Sequence, residues 1–157
     1  MADVLGVDED TGARVCHGKW QFETEEIPGI LVEGCSVPSR SNRYLTDRNA
    51  KVLAAHGENP DLVINPFGKG CGVYLGGFCE SPENTRMLLN ILLYAGKEKP
   101  VGLYLTDNPF TECAYYPESG RLVVINNSGE IQHTSVKTEV GIRKSVIDPY
   151  DQIAVEL

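Results

Sequence analysis

The sequence lacks the features that would assign it to a membrane or a nucleic acid. It has no run of about 20 apolar residues, which a membrane-spanning helix requires. Its N-terminus lacks the basic and apolar segments of a signal peptide. Lysine and arginine form no cluster, and the formal net charge is −8, so the surface repels phosphate backbones. These absences predict a cytoplasmic protein that binds neither nucleic acid nor membrane.

Cysteine pairs at metal-binding or redox spacing are also missing. The chain has five cysteines, an odd number, at positions 16, 35, 71, 79 and 113. No C-x-x-C pair is present, which argues against a zinc ribbon and against a thioredoxin-type motif. Reduced thiols are the ordinary state of such cysteines in the cytosol. We therefore predict no metal site, no cofactor and no cofactor-binding residues.

The clearest secondary structure lies between residues 62 and 96. Residues 62–64 and 73–75 are typical of strands, and the glycines between them predict a hairpin. Ser81 can cap a helix that begins at Pro82 and ends at Gly96. This helix is apolar nearly all round. We therefore expect the rest of this chain to leave part of the helix surface uncovered, so that further protein must pack against it.

The pattern changes near residues 97–100. Before this point, residues 2–7 resemble the end of a helix, and short strands are predicted at 20–22, 30–32 and 52–55, with a loop at 36–49. After it, turn signals separate six strand-like runs, at 101–105, 112–116, 121–125, 134–137, 141–146 and 152–155. We predict an α/β domain over residues 1–98 and a small antiparallel β sandwich over residues 99–157.

Two loop-like motifs invite a ligand but do not fit one. The glycines of segment 68–72 have the wrong spacing for a phosphate loop, and a strand follows where a helix should, so a hairpin turn is the better interpretation. Segment 8–12 begins like a calcium loop, but its glycine falls one place early and Lys19 replaces the final glutamate. We expect a solvated acidic turn there.

Catalytic groups are scattered. Cys35, His56 and Glu58 suggest an amidotransferase triad, but the cysteine lacks a strand-to-helix turn with flanking glycines, so an idle thiol is favoured. Among the acidic residues, Asp107, Glu112 and Glu118 include candidates for a glycosidase-like pair whose separation the sequence does not fix.

The remaining candidates are ambiguous. His17 and His133 have no matched partner in the sequence. Asn126 begins a glycosylation sequon, which is inert without a secretory route. Trp20, Tyr115 and Tyr116 suit either a sugar-stacking surface or ordinary packing, and packing is the commoner use.

Several segments together resemble a known enzyme family. The segments are N-P-F-G-K-G at 65–70, V-Y-L at 73–75, G-F at 77–78, S-P-E-N-T-R at 81–86, A-D-V-L-G-V-D at 2–8, E-C-A-Y-Y at 112–116 and L-V-V-I-N-N at 122–127. They resemble the C-terminal part of the 1,3-β-galactosyl-N-acetylhexosamine phosphorylases, also called lacto-N-biose or galacto-N-biose phosphorylases. The matches span nearly the whole chain.

The resemblance implies an enzyme of three parts: a (β/α) barrel with the active site, an amidotransferase-like, flavodoxin-like α/β domain without amidotransferase activity, and a small β domain. It implies phosphorolysis of the disaccharide, with inversion, to galactose 1-phosphate and N-acetylhexosamine, without an organic cofactor. It also implies that the barrel and the first strands of the α/β domain are absent here. No matched position inherits a catalytic role, so we name no catalytic residue.

From this resemblance we expect a non-catalytic region that is inactive alone and whose partner is the remainder of the parent enzyme or another subunit. The alternative is a stand-alone interaction module that forms homo-oligomers or binds carbohydrate. An apolar patch near the helix would favour assembly, and a row of exposed aromatics would favour sugar binding. A third hypothesis is an enzyme that uses Cys35 as its nucleophile.

Overall fold

The computed structural model describes most of the chain, namely residues 1–12, 19–97 and 102–157. Contacts within the chain divide it into two compact units, Met1–Glu98 (unit 1) and Lys99–Leu157 (unit 2). Cys16, His17, Pro100 and the first residue of the predicted strand at 101–105 lie outside the described residues. No helix in the described segments is long and apolar enough to cross a membrane.

Unit 1 is built mainly of antiparallel strands. Its elements are α1 (Ala2–Leu5), β1 (Val7–Glu9), β2 (Arg43–Leu45), β3 (Lys51–His56), β4 (Asn59–Phe67), β5 (Gly70–Leu75) and α2 (Pro82–Ala95). Strands β3, β4 and β5 form one sheet in that order, and β1 pairs with β2 in a separate two-stranded ribbon. Phe67 pairs with Gly70 around a turn whose Gly68 has φ +57°, which confirms the predicted hairpin.

The central strand β4 has a core on each face, because successive side chains of a strand point to opposite sides. Leu62 and Ile64 face α2, in a buried cluster with Ile30, Leu53, Met87 and Ile91. Val63 faces the other side, in a buried cluster with Val7, Leu45, Ala50 and Val52. The sheet is therefore covered on both faces within unit 1.

Helix α2 begins and ends where the sequence predicts. The Ser81 hydroxyl accepts from the amide of Asn84 at 3.1 Å, and Pro82 occupies the first turn. The amide of Gly96 donates to the carbonyl of Leu92 at 2.9 Å. The opposite side of the helix is bare, since Leu89 is 39% exposed and Leu92 is 60% exposed. As expected, the chain's described residues do not cover this helix all round.

A short helix docks tightly on the edge strand. A Cβ added to Gly72 of β5 would lie 2.0 Å from the carbonyl oxygen of Val4, so only glycine allows α1 this close. The buried amide of Asn65 donates to the carbonyls of Asp3 and Val4, both at 3.1 Å. These bonds satisfy carbonyls that a four-residue helix cannot pair internally.

Unit 2 is all β in its described part. Its strands are β6 (Thr111–Tyr116), β7 (Arg121–Asn126), β8 (Gln132–Thr138), β9 (Gly141–Ile147) and β10 (Gln152–Glu156). They form two antiparallel sheets, ordered β10-β7-β6 and β8-β9. Leu122 and Val124 of the first sheet share a buried cluster with Val136 and Ile147 of the second. Two sheets that enclose one apolar layer are a small sandwich.

Some sequence predictions need correction. The five runs from 112–116 onward are strands, but in 101–105 only an isolated bridge from Leu103 to Lys137 is described. Residues 30–32 are not a strand, because Gly29 (φ +85°) turns the chain and the Ile30 amide bonds to the Ile27 carbonyl. Ile30 is apolar because it fills the core. Residues 43–45, predicted as loop, form β2.

Candidate functional site

The hypothetical triad of Cys35, His56 and Glu58 is not assembled. His56 Nδ1 lies 2.9 Å from Oδ2 of Asp61, so its partner is not Glu58. Cys35 packs against the cluster of Leu62 and Met87. Since Asp61 and Leu62 are adjacent on β4, their side chains point to opposite faces. The imidazole and the thiol therefore lie on opposite sides of the sheet, and the triad hypothesis is wrong.

Asp107 is engaged by β8, and Glu112 and Glu118 are too far apart to form a catalytic pair. The Asp107 carboxylate accepts from the Ser135 amide at 2.7 Å, from the Ser135 hydroxyl and from the Thr134 hydroxyl at 3.1 Å. Glu112 lies near the start of β6, and Glu118 lies in the turn beyond its end. The four residues of strand from Glu112 to Tyr116 span roughly 13 Å, and Glu118 lies beyond Tyr116. Glu112 and Glu118 are therefore too far apart for a glycosidase pair.

The hydrogen bonds of Asp107 also set its ionisation. Burial raises the pKa of Asp107, but the hydrogen bonds from Ser135 and Thr134 outweigh it and hold the pKa below its usual value. Asp107 and the exposed His133 line a shallow hollow of about 470 Å³ together with Lys144. The carboxylate is thus kept charged and engaged in joining its loop to β8, which suits a structural role.

The aromatic candidates do not make one platform. Tyr115 stacks in parallel on Tyr104, with ring centroids 4.3 Å apart. Tyr116 is 54% exposed, and as the neighbour of Tyr115 on β6 its side chain points to the opposite face. Trp20 belongs to unit 1 and is 43% exposed. Trp20 lies beside a cleft of about 690 Å³.

The sequon residue is not a modification site in this fold. Asn126 is 1% exposed, and its Nδ2 donates to the carbonyls of Glu130, Ile147 and Asp148 at 2.7–3.2 Å. Its Oδ1 accepts from the amide and the hydroxyl of Ser128. A buried amide with all its bonds made stabilises the loop between β7 and β8.

The acidic segment 8–12 is a strand only in its first two residues, and beyond them the amide of Gly12 donates to Asp10 Oδ1 at 3.0 Å, which closes a turn. Asp8 and Glu9 belong to β1 and pair with Tyr44 and Arg43 of β2. Asp10 accepts from Lys19 at 3.1 Å. Across the residues with described positions, no group of three or more His, Cys, Asp or Glu is placed to hold a metal ion.

A cleft of about 690 Å³ lies beside β2 in unit 1, and we call it the Trp20 cleft. Its walls carry an aromatic ring, amides and charges of both signs, from Asp10, Lys19, Trp20, Gln21, Asn42, Arg43, Glu58 and Asn59. Arg43 Nη1 lies 2.8 Å from Glu9 Oε2, and its Nε donates to the Tyr74 hydroxyl at 3.1 Å. Burial lowers the pKa of Arg43, but the bonds to Glu9 and Tyr74 outweigh it and raise the pKa above its usual value.

One wall of the cleft is fixed by two polar side chains of β4. Asn59 Oδ1 accepts the amide of Arg43, and Asp61 Oδ1 accepts the amide of Arg40, both at 3.3 Å. Being two residues apart, Asn59 and Asp61 lie on the same face of the strand. Neither residue is among the candidates predicted from the sequence. Their alternation with apolar residues in N-P-D-L-V-I-N is the signal that could have revealed them.

The architecture defines a broad class of protein. It is a β-rich protein of two units, each built mainly of antiparallel strands. Its family is established by comparison. Residues 1–100 match the family model of the lacto-N-biose phosphorylase central domain, and residues 104–153 match that of the C-terminal domain. The chain therefore belongs to the lacto-N-biose phosphorylase family, as its sequence motifs predicted, and corresponds to its central and C-terminal domains.

Relatives carry phosphorylase names. A D-galactosyl-β-1→4-L-rhamnose phosphorylase of Lachnoclostridium phytofermentans is 40% identical over 157 residues, which cover 100% of this chain and 22% of the relative. A 1,3-β-galactosyl-N-acetylhexosamine phosphorylase of Bifidobacterium longum subsp. longum is 36% identical, covering 98% of this chain and 25% of the relative. The chain thus spans about a quarter or less of the length of these curated relatives.

A solved structure gives a weaker likeness. Gan42B, a GH42 β-galactosidase, aligns with 99% of this chain and 24% of its own, at 16% identity and a TM-score of 0.45. At that score the likeness does not establish a shared fold.

Proposed function

We propose that this chain is the non-catalytic C-terminal region of an enzyme that cleaves β-1,3-galactosyl-N-acetylhexosamine with phosphate, giving galactose 1-phosphate and N-acetylhexosamine. The observation that carries the proposal is the match of both family domains along the chain, with relatives that are named phosphorylases and are several times longer. Among the described residues, no group of three or more His, Cys, Asp or Glu is placed to hold a metal ion.

The described geometry suggests what the region does for the enzyme. Leu89 and Leu92 project from α2 on the side away from the sheet, and exposing such side chains to water is costly. We propose that this face packs against the remainder of the parent enzyme. The outer face of α2 also leaves room for the further layer of an amidotransferase-like α/β domain, of which residues 1–98 would be the last part.

We also propose that residues 1–98 and 99–157 are separate domains and that the protein acts in the cytoplasm. The two compact units and the separate family matches support the first statement. Free thiols at Cys35, Cys71, Cys79 and Cys113 support the second, because such thiols persist in a reducing compartment.

A second substrate is favoured by a specific observation. The galactosyl-rhamnose phosphorylase is 40% identical to this chain, against 36% for the Bifidobacterium longum relative. The parent's acceptor sugar would then be L-rhamnose, joined through a β-1,4 bond. Assaying the intact parent enzyme with both disaccharides decides between the two, since each substrate releases a different second sugar.

The alternative of another class is an interaction module without a phosphorylase partner. Its support is the apolar surface of the β8–β9 hairpin, where Val140, Ile142 and Val146 are each about 60% exposed. Sedimentation of the purified chain tests it. Self-association that Ile142→Ser abolishes would favour this alternative, whereas a monomer that forms a complex with the rest of the parent enzyme favours the phosphorylase region.

The proposal also predicts how a substitution on the exposed face of α2, which carries Leu89 and Leu92, affects stability and assembly. Leu92→Gln leaves the stability of the isolated chain within about 0.5 kcal/mol, because Leu92 is exposed there, but weakens assembly with the parent's remainder. Met87→Ala, on the buried face of the same helix, costs about 2–5 kcal/mol by chemical denaturation. A large loss of stability for Leu92→Gln would show that the chain covers this face itself.

A further inference from the structure

We propose that the Trp20 cleft binds a neutral pyranose sugar. The cleft lies wholly within unit 1, and its volume of about 690 Å³ falls in the range of small-molecule pockets, roughly 300–1,000 Å³. The inference goes beyond the proposed function and does not depend on it, because it concerns binding by this chain alone.

The aromatic wall suits the apolar face of a sugar ring. Trp20 is 43% exposed, and its backbone amide donates to the carbonyl of Leu45 at 3.2 Å, which ties the residue to β2. The Arg48 guanidinium lies 5.8 Å from the indole centroid. A pyranose presents axial C–H groups on one face, and burying these against an indole removes apolar surface from water.

The polar wall is preorganised. Asn59 and Asp61 accept the backbone amides of Arg43 and Arg40, so the segment between them is tied to β4 at both ends. Within it Asn42 has φ +61°, a left-handed conformation that asparagine tolerates in turns. A fixed wall lowers the entropy lost when a ligand binds.

The charge balance selects a neutral ligand. Asp10 and Glu58 are the acidic residues of the lining, and Lys19 and Arg43 are the basic ones. Lys19 pairs with Asp10, and Arg43 pairs with Glu9 just outside the lining. These pairs leave no concentration of either sign to hold a phosphate or a cation.

Several polar groups in the cleft remain available. Within the described part of the chain, the side chains of Gln21, Asn42 and Glu58 have no hydrogen-bond partner, and all three residues are exposed. Side-chain amides donate and accept, and a carboxylate accepts. Sugar hydroxyls also do both, so they match the donors and acceptors that these three side chains present.

Trp20 allows a direct test, because it is the chain's only tryptophan. We would titrate the full chain with methyl β-D-galactopyranoside, N-acetylglucosamine and L-rhamnose, and follow indole fluorescence and the indole N–H signal by NMR. Sorbitol, which has hydroxyls but no ring face, is the control ligand. We expect saturable changes with at least one pyranose, with Kd on the order of 1 mM, and none with sorbitol. No saturable change with any pyranose, or an equal response to sorbitol, overturns the proposal.

Variants then locate the binding. Glu58→Ala and Gln21→Ala alter exposed side chains, so folding should be preserved, and each should weaken binding at least fivefold by calorimetry. Glu118→Ala, at an exposed turn of unit 2, is the matched control and should bind as the unchanged chain does. If both cleft variants bind as tightly as the unchanged chain, the cleft is not the site. Because these binding assays do not depend on phosphorolysis by the parent enzyme, a negative result leaves the proposed function standing.

Discussion

His56 and Asp61 form a contact between an exposed and a buried side chain. Nδ1 of His56 lies 2.9 Å from Oδ2 of Asp61, and their side chains are 71% and 0% exposed. The other carboxylate oxygen accepts the amide of Arg40. Asp61 thus joins the β3–β4 hairpin to the segment that forms one wall of the Trp20 cleft.

Replacing Asp61 should therefore loosen this wall. Asp61→Ala leaves the Arg40 amide without its partner, and we expect a loss of about 1–3 kcal/mol in the free energy of unfolding. His56→Ala should cost less, because water can replace an imidazole that is already mostly exposed. Urea denaturation of the two variants measures both effects. Equal stability of Asp61→Ala and the unchanged chain would show that the carboxylate does not hold the segment.

The packing of α1 on β5 gives a prediction about a single methyl group. Gly72→Ala places a Cβ 2.0 Å from the Val4 carbonyl oxygen, so α1 must move. We expect a loss of about 1–3 kcal/mol and faster amide exchange in residues 2–5. Gly70→Ala is the control, since its Cβ would meet nothing within 4 Å. Similar stabilities for the two variants would contradict the close approach of α1.

The buried amide of Asn126 gives a third prediction. Asn126→Asp replaces a donor to three carbonyls by a carboxylate that faces them, and we expect a loss of about 1–3 kcal/mol or more. Asn127→Asp introduces the same charge one residue later at an exposed position and should have little effect. Thermal denaturation of the pair tests this. If Asn126→Asp is as thermally stable as the unchanged chain, the side-chain nitrogen of Asn126 does not stabilise the fold.

The lowered pKa of Asp107 makes the folded protein more stable at neutral pH than at acidic pH. Its folded pKa is depressed by hydrogen bonds from Ser135 and Thr134 that outweigh burial, so it stabilises the fold above its unfolded pKa, about 3.9. This contribution is lost as pH falls below that value and through the folded pKa. It is modest, because the group is largely solvated.

Asp107→Asn isolates the effect. We expect the variant to be less stable than the unchanged chain at pH 6, and the difference to shrink at pH 3. Urea denaturation at the two pH values measures it. A difference that stays constant or grows as pH falls would contradict the assigned direction.

Much of the fold could be predicted from local signals. Ser81, Pro82 and Gly96 mark the ends of α2, and the glycines at 68–70 mark the β4–β5 hairpin. Such signals depend on the chemistry of one or a few neighbouring residues, so they can be recognised in the sequence. Strand β2 was missed because its pairing with β1 joins segments more than thirty residues apart.

The cleft could not be predicted, because its parts meet only through tertiary structure. Trp20 was a recognisable candidate, but its place beside Arg43 and Glu58 depends on the pairing of β1 with β2 and on the β3–β4 hairpin. The triad of Cys35 and His56 failed for the same reason. Residue type suggested it, and only the alternation of β4 shows that the two lie on opposite faces of the sheet.

The most direct test of the proposed role is a chimera of the Bifidobacterium longum relative that carries this chain in place of its own C-terminal region. The quarter of that enzyme aligned with this chain would be replaced by this chain, and galactose 1-phosphate release from 1,3-β-galactosyl-N-acetylglucosamine and phosphate would be measured. We predict that the exchanged enzyme turns over, whereas the same enzyme without the region, and this chain alone, do not. A folded but inactive exchange enzyme, or turnover by this chain alone above buffer, would contradict the assignment as a non-catalytic region of a phosphorylase.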